Sequence, residues 1–102
     1  MSQETIESIS FRQLRLFESV GRLESVRGAS EDCNLSQPAV TQSLSKLEQL
    51  VGVKLVERRA SGSYLNASGD LFHRRVVRFL AQFERALTLF GVEGGEAGAK
   101  VV

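Results

Sequence analysis

Apolar residues recur along most of this chain at the spacing of one helix face. Phe11, Leu14, Phe17 and Val20 stand three residues apart behind a capping box, Ser10 with Gln13, and Gly21 follows near the end of the pattern. This predicts a first helix of about ten residues. Ser25 can cap a second, shorter helix running through Cys33, with Val26, Ala29, Ser30 and Cys33 inward, Asn34 closing it and Leu35 packing beneath. Gly28 inside it costs up to about 1 kcal/mol against alanine and weakens its regularity. A third helix is marked at both ends: Ser36 offers an oxygen to the orphan amides of the first turn, Pro38 sits where a missing N–H costs nothing, and Gly52 allows a left-handed stop. Val40, Leu44, Leu47 and Val51 form its oily stripe. Pro38, Gln42, Ser45, Lys46 and Gln49 lie opposite, with Thr41 on the flank.

After Gly52 the period changes. Val53 to Arg58 alternates and is β-branched, Ala60-Ser61-Gly62 is turn-like, and Ser63-Tyr64-Leu65 returns, so a small hairpin with arginines at its base is expected. Asn66 then caps a long helix carrying apolar residues to Phe90. The expected organisation is a flexible lead-in over 1–10, a compact domain over 11–66, a long helix over 67–90 and a flexible tail over 91–102. Two helices joined by only a few residues make a helix-turn-helix. The fold class is therefore mainly α: a winged helix-turn-helix, three helices plus a two-stranded wing, followed by a long dimerisation helix.

In that last helix Phe72, Val76, Phe79, Phe83, Ala86 and Phe90 are spaced four, three, four, three and four apart, a heptad seam holding four of the chain's six phenylalanines. Leu80 and Leu87 flank it. A helix of roughly 35 Å, at 1.5 Å per residue, overhangs so small a domain. A second copy of the chain is the expected cover, giving a homodimer; the alternative is that the seam packs onto its own core.

Composition narrows the chemistry. The 102 residues hold one Cys and one His, too few for a disulfide or a four-ligand zinc site, so no metal and no cofactor is expected. Cys33 reads as a small core residue and His73 as helix surface. Neither a membrane-length apolar run nor a leader is present, which points to the cytoplasm. No carboxylate pair, activated nucleophile or phosphate-cradling glycine loop suggests an enzyme. The net charge is only +1, but residues 11–90 hold twelve Lys or Arg against eight Asp or Glu. That local excess of +4 matters if the cations share a face.

The outward flank of the third helix suits double-stranded DNA. Gln37 and Gln42 can each present a donor and an acceptor, matching the N6 and N7 edge of adenine, while Thr41 and Pro38 supply apolar contact to thymine and backbone. Arg58 and Arg59 on the wing, with Lys46 and Lys54, are candidates for phosphates or a narrow minor groove; Ser36, Ser45 and Arg27 join them as backbone contacts. Arg74, Arg75 and Arg78 read as a solvated helix face.

The chain also resembles a known family, the N-terminal winged helix-turn-helix of bacterial LysR-type transcriptional regulators. The resemblance runs from about Phe11 to Leu87 and rests on Arg12-Gln13-Leu14-Arg15-Leu16-Phe17, on Leu35-Ser36-Gln37-Pro38-Ala39-Val40-Thr41, and on Leu47-Glu48 with Gly52-Val53, Leu55 and Glu57-Arg58. It implies a dimer joined by the long helix, each third helix in a major groove with the wing beside the minor groove. Two such readers on one face of the duplex would demand half-sites about one helical turn apart, arranged as an inverted repeat, and the expected working place is the bacterial nucleoid. The departures are Val56 where an aromatic is usual, Ser30 where a second alanine is usual, Cys33 for a large aliphatic, and Gln42 for a frequent arginine. The last lies on the reading face and changes which bases are preferred. Such regulators continue into an effector-binding domain, so the sequence reads as an excised module or a naturally short relative, and no small-molecule effector is expected on these residues. A competing reading is an interaction module that pairs with full-length relatives and binds little DNA itself.

Overall fold

The computed structural model describes residues 1–91. In chain order they form α1 (Gln3–Ser8), α2 (Phe11–Leu23), α3 (Val26–Asp32), α4 (Gln37–Val51), β1 (Val56–Arg59), β2 (Gly62–Leu65) and α5 (Ala67–Thr88). The expected winged helix-turn-helix with a long final helix is what forms. The tail expected over residues 91–102 lies, from residue 92 on, outside the described residues.

Each boundary has a chemical cause. Ser10 and Gln13 make the full reciprocal box that opens α2, and the Ser25, Ser36 and Asn66 side chains each accept the third backbone N–H of the helix they open. Glu24, at φ 54°, and Gly52, at φ 90°, end α2 and α4 in left-handed turns. Helix α2 runs past Gly21 to Leu23, beyond the ten residues expected, and stops at the left-handed Glu24; a Cβ at Gly21 would meet the His73 ring at 2.6 Å, so that glycine serves close packing against α5 and not the end of the helix. The residues expected as a loose lead-in hold α1 instead, capped by the Ser2 hydroxyl; its successor Ile9 packs against the core.

Leu16, Phe17, Val20, Val26, Ala29, Val40, Leu44, Leu47, Leu55 and Val56 form one buried cluster between α2, α3, α4 and the wing. Helix α5 closes it from outside with Val76, and Phe72 lies against Phe17 with ring centroids 5.3 Å apart. The hairpin is antiparallel, pairing Val56 with Leu65 and Arg59 with Gly62 around the turn Ala60-Ser61. The arginines therefore stand at the tip of the wing, where the sequence suggested its base. The first turn of α5 is held close to the wing: a Cβ at Gly69 would lie 2.0 Å from the Leu55 carbonyl oxygen, so only glycine fits there.

Candidate nucleic-acid interface

Helix α4 presents the polar flank read from sequence. Val40, Leu44 and Leu47 are buried, while Ser36, Gln37, Pro38, Gln42, Ser45, Lys46 and Gln49 are exposed and Thr41 is half-exposed. Ser36 spends its hydroxyl oxygen on the Ala39 N–H at 3.2 Å and so serves first as a cap. Gln37, Pro38, Thr41 and Gln42 line one open groove whose other walls are Val26 and Arg58.

Strand pleating explains why Arg58 and not Arg59 reaches that groove. Arg58 is on the same face of β1 as buried Val56 and pairs with buried Ser63, so it points toward the body of the domain. Arg59 points the other way, its guanidinium 5.2 Å from the centre of the Tyr64 ring and 3.6 Å from Glu57. Tyr64 in turn donates its hydroxyl to the Ser61 carbonyl at 3.2 Å, bracing the turn. This support for Arg59 was legible from pairing alone, since Glu57 opposes Tyr64 and Arg59 is its diagonal neighbour.

At the other end of α4, Ser45, Gln49 and Lys54 border a second, shallow depression. Glu48 lies beneath it, nearly buried, and sequence reasoning missed its role. One carboxylate oxygen accepts the Leu55 N–H at 2.7 Å and the Val56 N–H at 3.1 Å; the other is 3.6 Å from the Lys54 ammonium. The Asn66 amide donates to the Lys54 carbonyl at 2.9 Å. A buried carboxylate thus fixes where the wing leaves the reader helix. Its signal in the sequence was a charge on the oily side of α4, next to Leu47.

The other candidates are placed differently. Arg27, on α3, is exposed and 3.8 Å from Glu31, apart from the groove lining. Cys33 packs against the core as expected of a small inward residue, half-buried, with its outer side at a depression shared with Arg12, Arg15 and Asp32. His73, expected as surface, is tucked against α2 with its Nε2–H donating to the Glu18 carbonyl oxygen at 3.1 Å.

The phenylalanine row divides. Val76 is buried in the chain's own core, so it is corrected from the interface expected with a second chain, because α5 lies along α2; Phe72 and Leu80 pack against that core and are covered by the domain in part. Phe79, Phe83, Ala86, Leu87 and Phe90 remain exposed. Phe79 and Phe83 join Phe11 in an aromatic cluster at the surface, with centroids 6.2 and 5.1 Å from that of Phe11.

Residues 11–70 match the bacterial regulatory helix-turn-helix proteins of the lysR family. The chain belongs to that family. This LysR-family chain is 35% identical over 95 residues to the HTH-type transcriptional regulator PcaQ of Agrobacterium fabrum, covering 93% of this chain and 30% of that protein. It is 40% identical over 91 residues to the RuBisCO operon transcriptional regulator of Allochromatium vinosum, covering 85% of this chain and 30% of the relative. It therefore spans about 30% of the length of these curated relatives. Among solved structures it is similar to CbnR, a LysR family transcriptional regulator, in the complex of its DBD with DNA: TM-score 0.73 and 33% identity over 76% of this chain and 90% of that one. The BenM DBD in complex with benA site 1 DNA shares the fold, at TM-score 0.76 and 22% identity over 79% of this chain and 91% of that one. Among the described residues no helix is long and apolar enough to cross a membrane, and no three His, Cys, Asp or Glu side chains gather to hold a metal ion.

Proposed function

We propose that this chain is the DNA-binding unit of a bacterial transcriptional regulator that works as a homodimer in the cytoplasm, reading an inverted repeat. Helix α4 enters the major groove with Gln37, Pro38, Thr41 and Gln42 against the base edges, and the wing lies beside the minor groove. The observation that carries this reading is the groove in which those four residues and Arg58 meet: uncharged hydrogen-bonding groups for bases and a cation for phosphate face the same space. Lys46, Lys54 and Arg59 flank it as further phosphate contacts. The half-exposed phenylalanines of α5 join two copies, so the readers meet half-sites about one helical turn, or a multiple of it, apart.

Selection of bound oligonucleotides from a random pool tests the proposal. The expected product is a palindromic motif. Replacing Gln37, Thr41 and Gln42 together with alanine should weaken binding to it by about 30-fold or more, since each lost bidentate contact is worth about 1–3 kcal/mol, while the helical circular dichroism stays unchanged. Failure of the unmodified chain to enrich any motif would overturn the reading.

A further inference from the structure

We infer that His73 is a positioning residue that sets the angle between the dimerisation helix and the reader helix, and with it the spacing of half-sites the dimer accepts. The inference rests on the DNA-binding reading above. It starts from a notch. Gly21 lies in the last turn of α2, and a Cβ there would come within 2.6 Å of His73 Cδ2 and 2.9 Å of its Nε2, so the ring fills the space that any other residue's side chain would occupy. The ring also meets Phe17 edge-on at 5.8 Å.

Asn66, the cap of α5, donates its backbone N–H to the Leu55 carbonyl at 3.0 Å and its amide to the Lys54 carbonyl at 2.9 Å, which pins the start of the helix; further along, Phe72, Val76 and Leu80 make apolar contacts, which fix distance better than rotation. His73 adds direction: Nε2–H donates to the Glu18 carbonyl at 3.1 Å and stands 3.6 Å from a Glu18 carboxylate oxygen. The same carboxylate oxygen is 3.1 Å from Arg22 Nε, and the Arg22 guanidinium reaches Asp32 at 2.9 Å. Asp32, the last residue of α3, also accepts the Ser19 hydroxyl at 2.7 Å. A continuous polar chain therefore runs from α5 through α2 to the end of α3, where the turn into α4 begins. The Ser19 hydrogen bond first, and Arg22 after it, hold the Asp32 carboxyl below its ordinary value, keeping the chain's last member charged.

In a dimer joined through α5, any tilt of that helix is multiplied at the DNA. About 10° over a lever of ~20 Å moves a reader helix by ~3.5 Å, close to one base-pair step of ~3.4 Å. The His73 clasp is thus the element whose loosening blurs spacing without touching base contacts.

The test uses the 102-residue chain and a panel of duplexes carrying the selected half-site twice, with the gap changed one base pair at a time. The unmodified chain should prefer its best gap over the neighbouring gaps by about tenfold or more. H73A should bind a single half-site within about twofold of the unmodified chain yet discriminate between adjacent gaps by threefold or less. H73Q, which keeps a donor in the notch, should restore most of the preference. G21A, which pushes the ring out from the opposite side, should blur or shift the preferred gap, and covers the case in which H73A does not fold. If H73A and G21A both keep the full preference, the inference fails while the DNA-binding reading stands. If the unmodified chain binds no duplex of the panel, both fail.

Discussion

At the scale of single residues, Glu48 shows how a reading surface is kept in register by a group that never touches a ligand. Its carboxylate satisfies two backbone donors at the start of the wing and sits near the Lys54 ammonium. Truncation would leave both N–H groups without a partner in a site closed to water, and hydrogen bonds to a charged acceptor are worth about 1.5–3 kcal/mol each. Glu48→Ala should therefore lower the melting temperature by roughly 10 °C or more. Glu48→Gln, which keeps an acceptor oxygen of the same reach, should recover part of the loss. Equal melting temperatures for the alanine variant and the unmodified chain would show that the wing is held by its hairpin and apolar contacts alone. The division of labour between Arg58 and Arg59 has the same character: adjacent residues of one type take opposite tasks because a strand alternates faces.

At the scale of elements, what was legible in the sequence depended on how local its cause was. Helices α2, α3 and α4 and the start of α5 were readable because a capping side chain lies within three residues of the amide it satisfies, and α4 ends at a glycine for an equally local reason. The reading face of α4 was readable because the helical period fixes it. The sharing of the phenylalanine row was not, since whether Val76 packs inward depends on how α5 lies across α2, a contact between residues far apart in sequence. His73 escaped for the same reason: its partner is the absent side chain of Gly21, and a missing atom gives no pattern. The exposed remainder of the row carries its own prediction. Phe79 and Phe83 are 47% and 44% exposed, so aspartate at both positions should convert a sedimenting dimer into a monomer while leaving the helical content of the domain intact. An unchanged sedimentation mass would mean that the copies meet elsewhere.

At the scale of the whole molecule, a net charge of +1 conceals a polarised arrangement. Arg58 borders the groove at the N-terminal end of α4, Lys54 the depression at its C-terminal end, with exposed Lys46 on the helix between them and Arg59 on the wing. Two of the four cations are already engaged, Lys54 with Glu48 and Arg59 with Glu57, each at 3.6 Å. Those pairs do not hold the cations back from phosphate: Arg59–Glu57 is an exposed pair worth at most about 1 kcal/mol, and the Lys54 ammonium stays largely open to solvent although its Glu48 partner is nearly buried. If all four engage in each copy of a dimer, about eight phosphates are neutralised, and log affinity should fall against log salt with a slope near −7. Lys54→Ala should reduce that slope by about 2, one phosphate per copy, and Arg58→Ala should do the same. The two variants should differ in kind, though, since Arg58 shares its groove with the glutamines and its loss alters the placement of the reading face, whereas Lys54 acts at a distance from them. Sequence preference should therefore survive Lys54→Ala and relax in Arg58→Ala, measured by repeating the oligonucleotide selection with each. A slope near zero in the unmodified chain would remove the phosphate contacts from the mechanism, and identical selections from both variants would remove the special place given to Arg58.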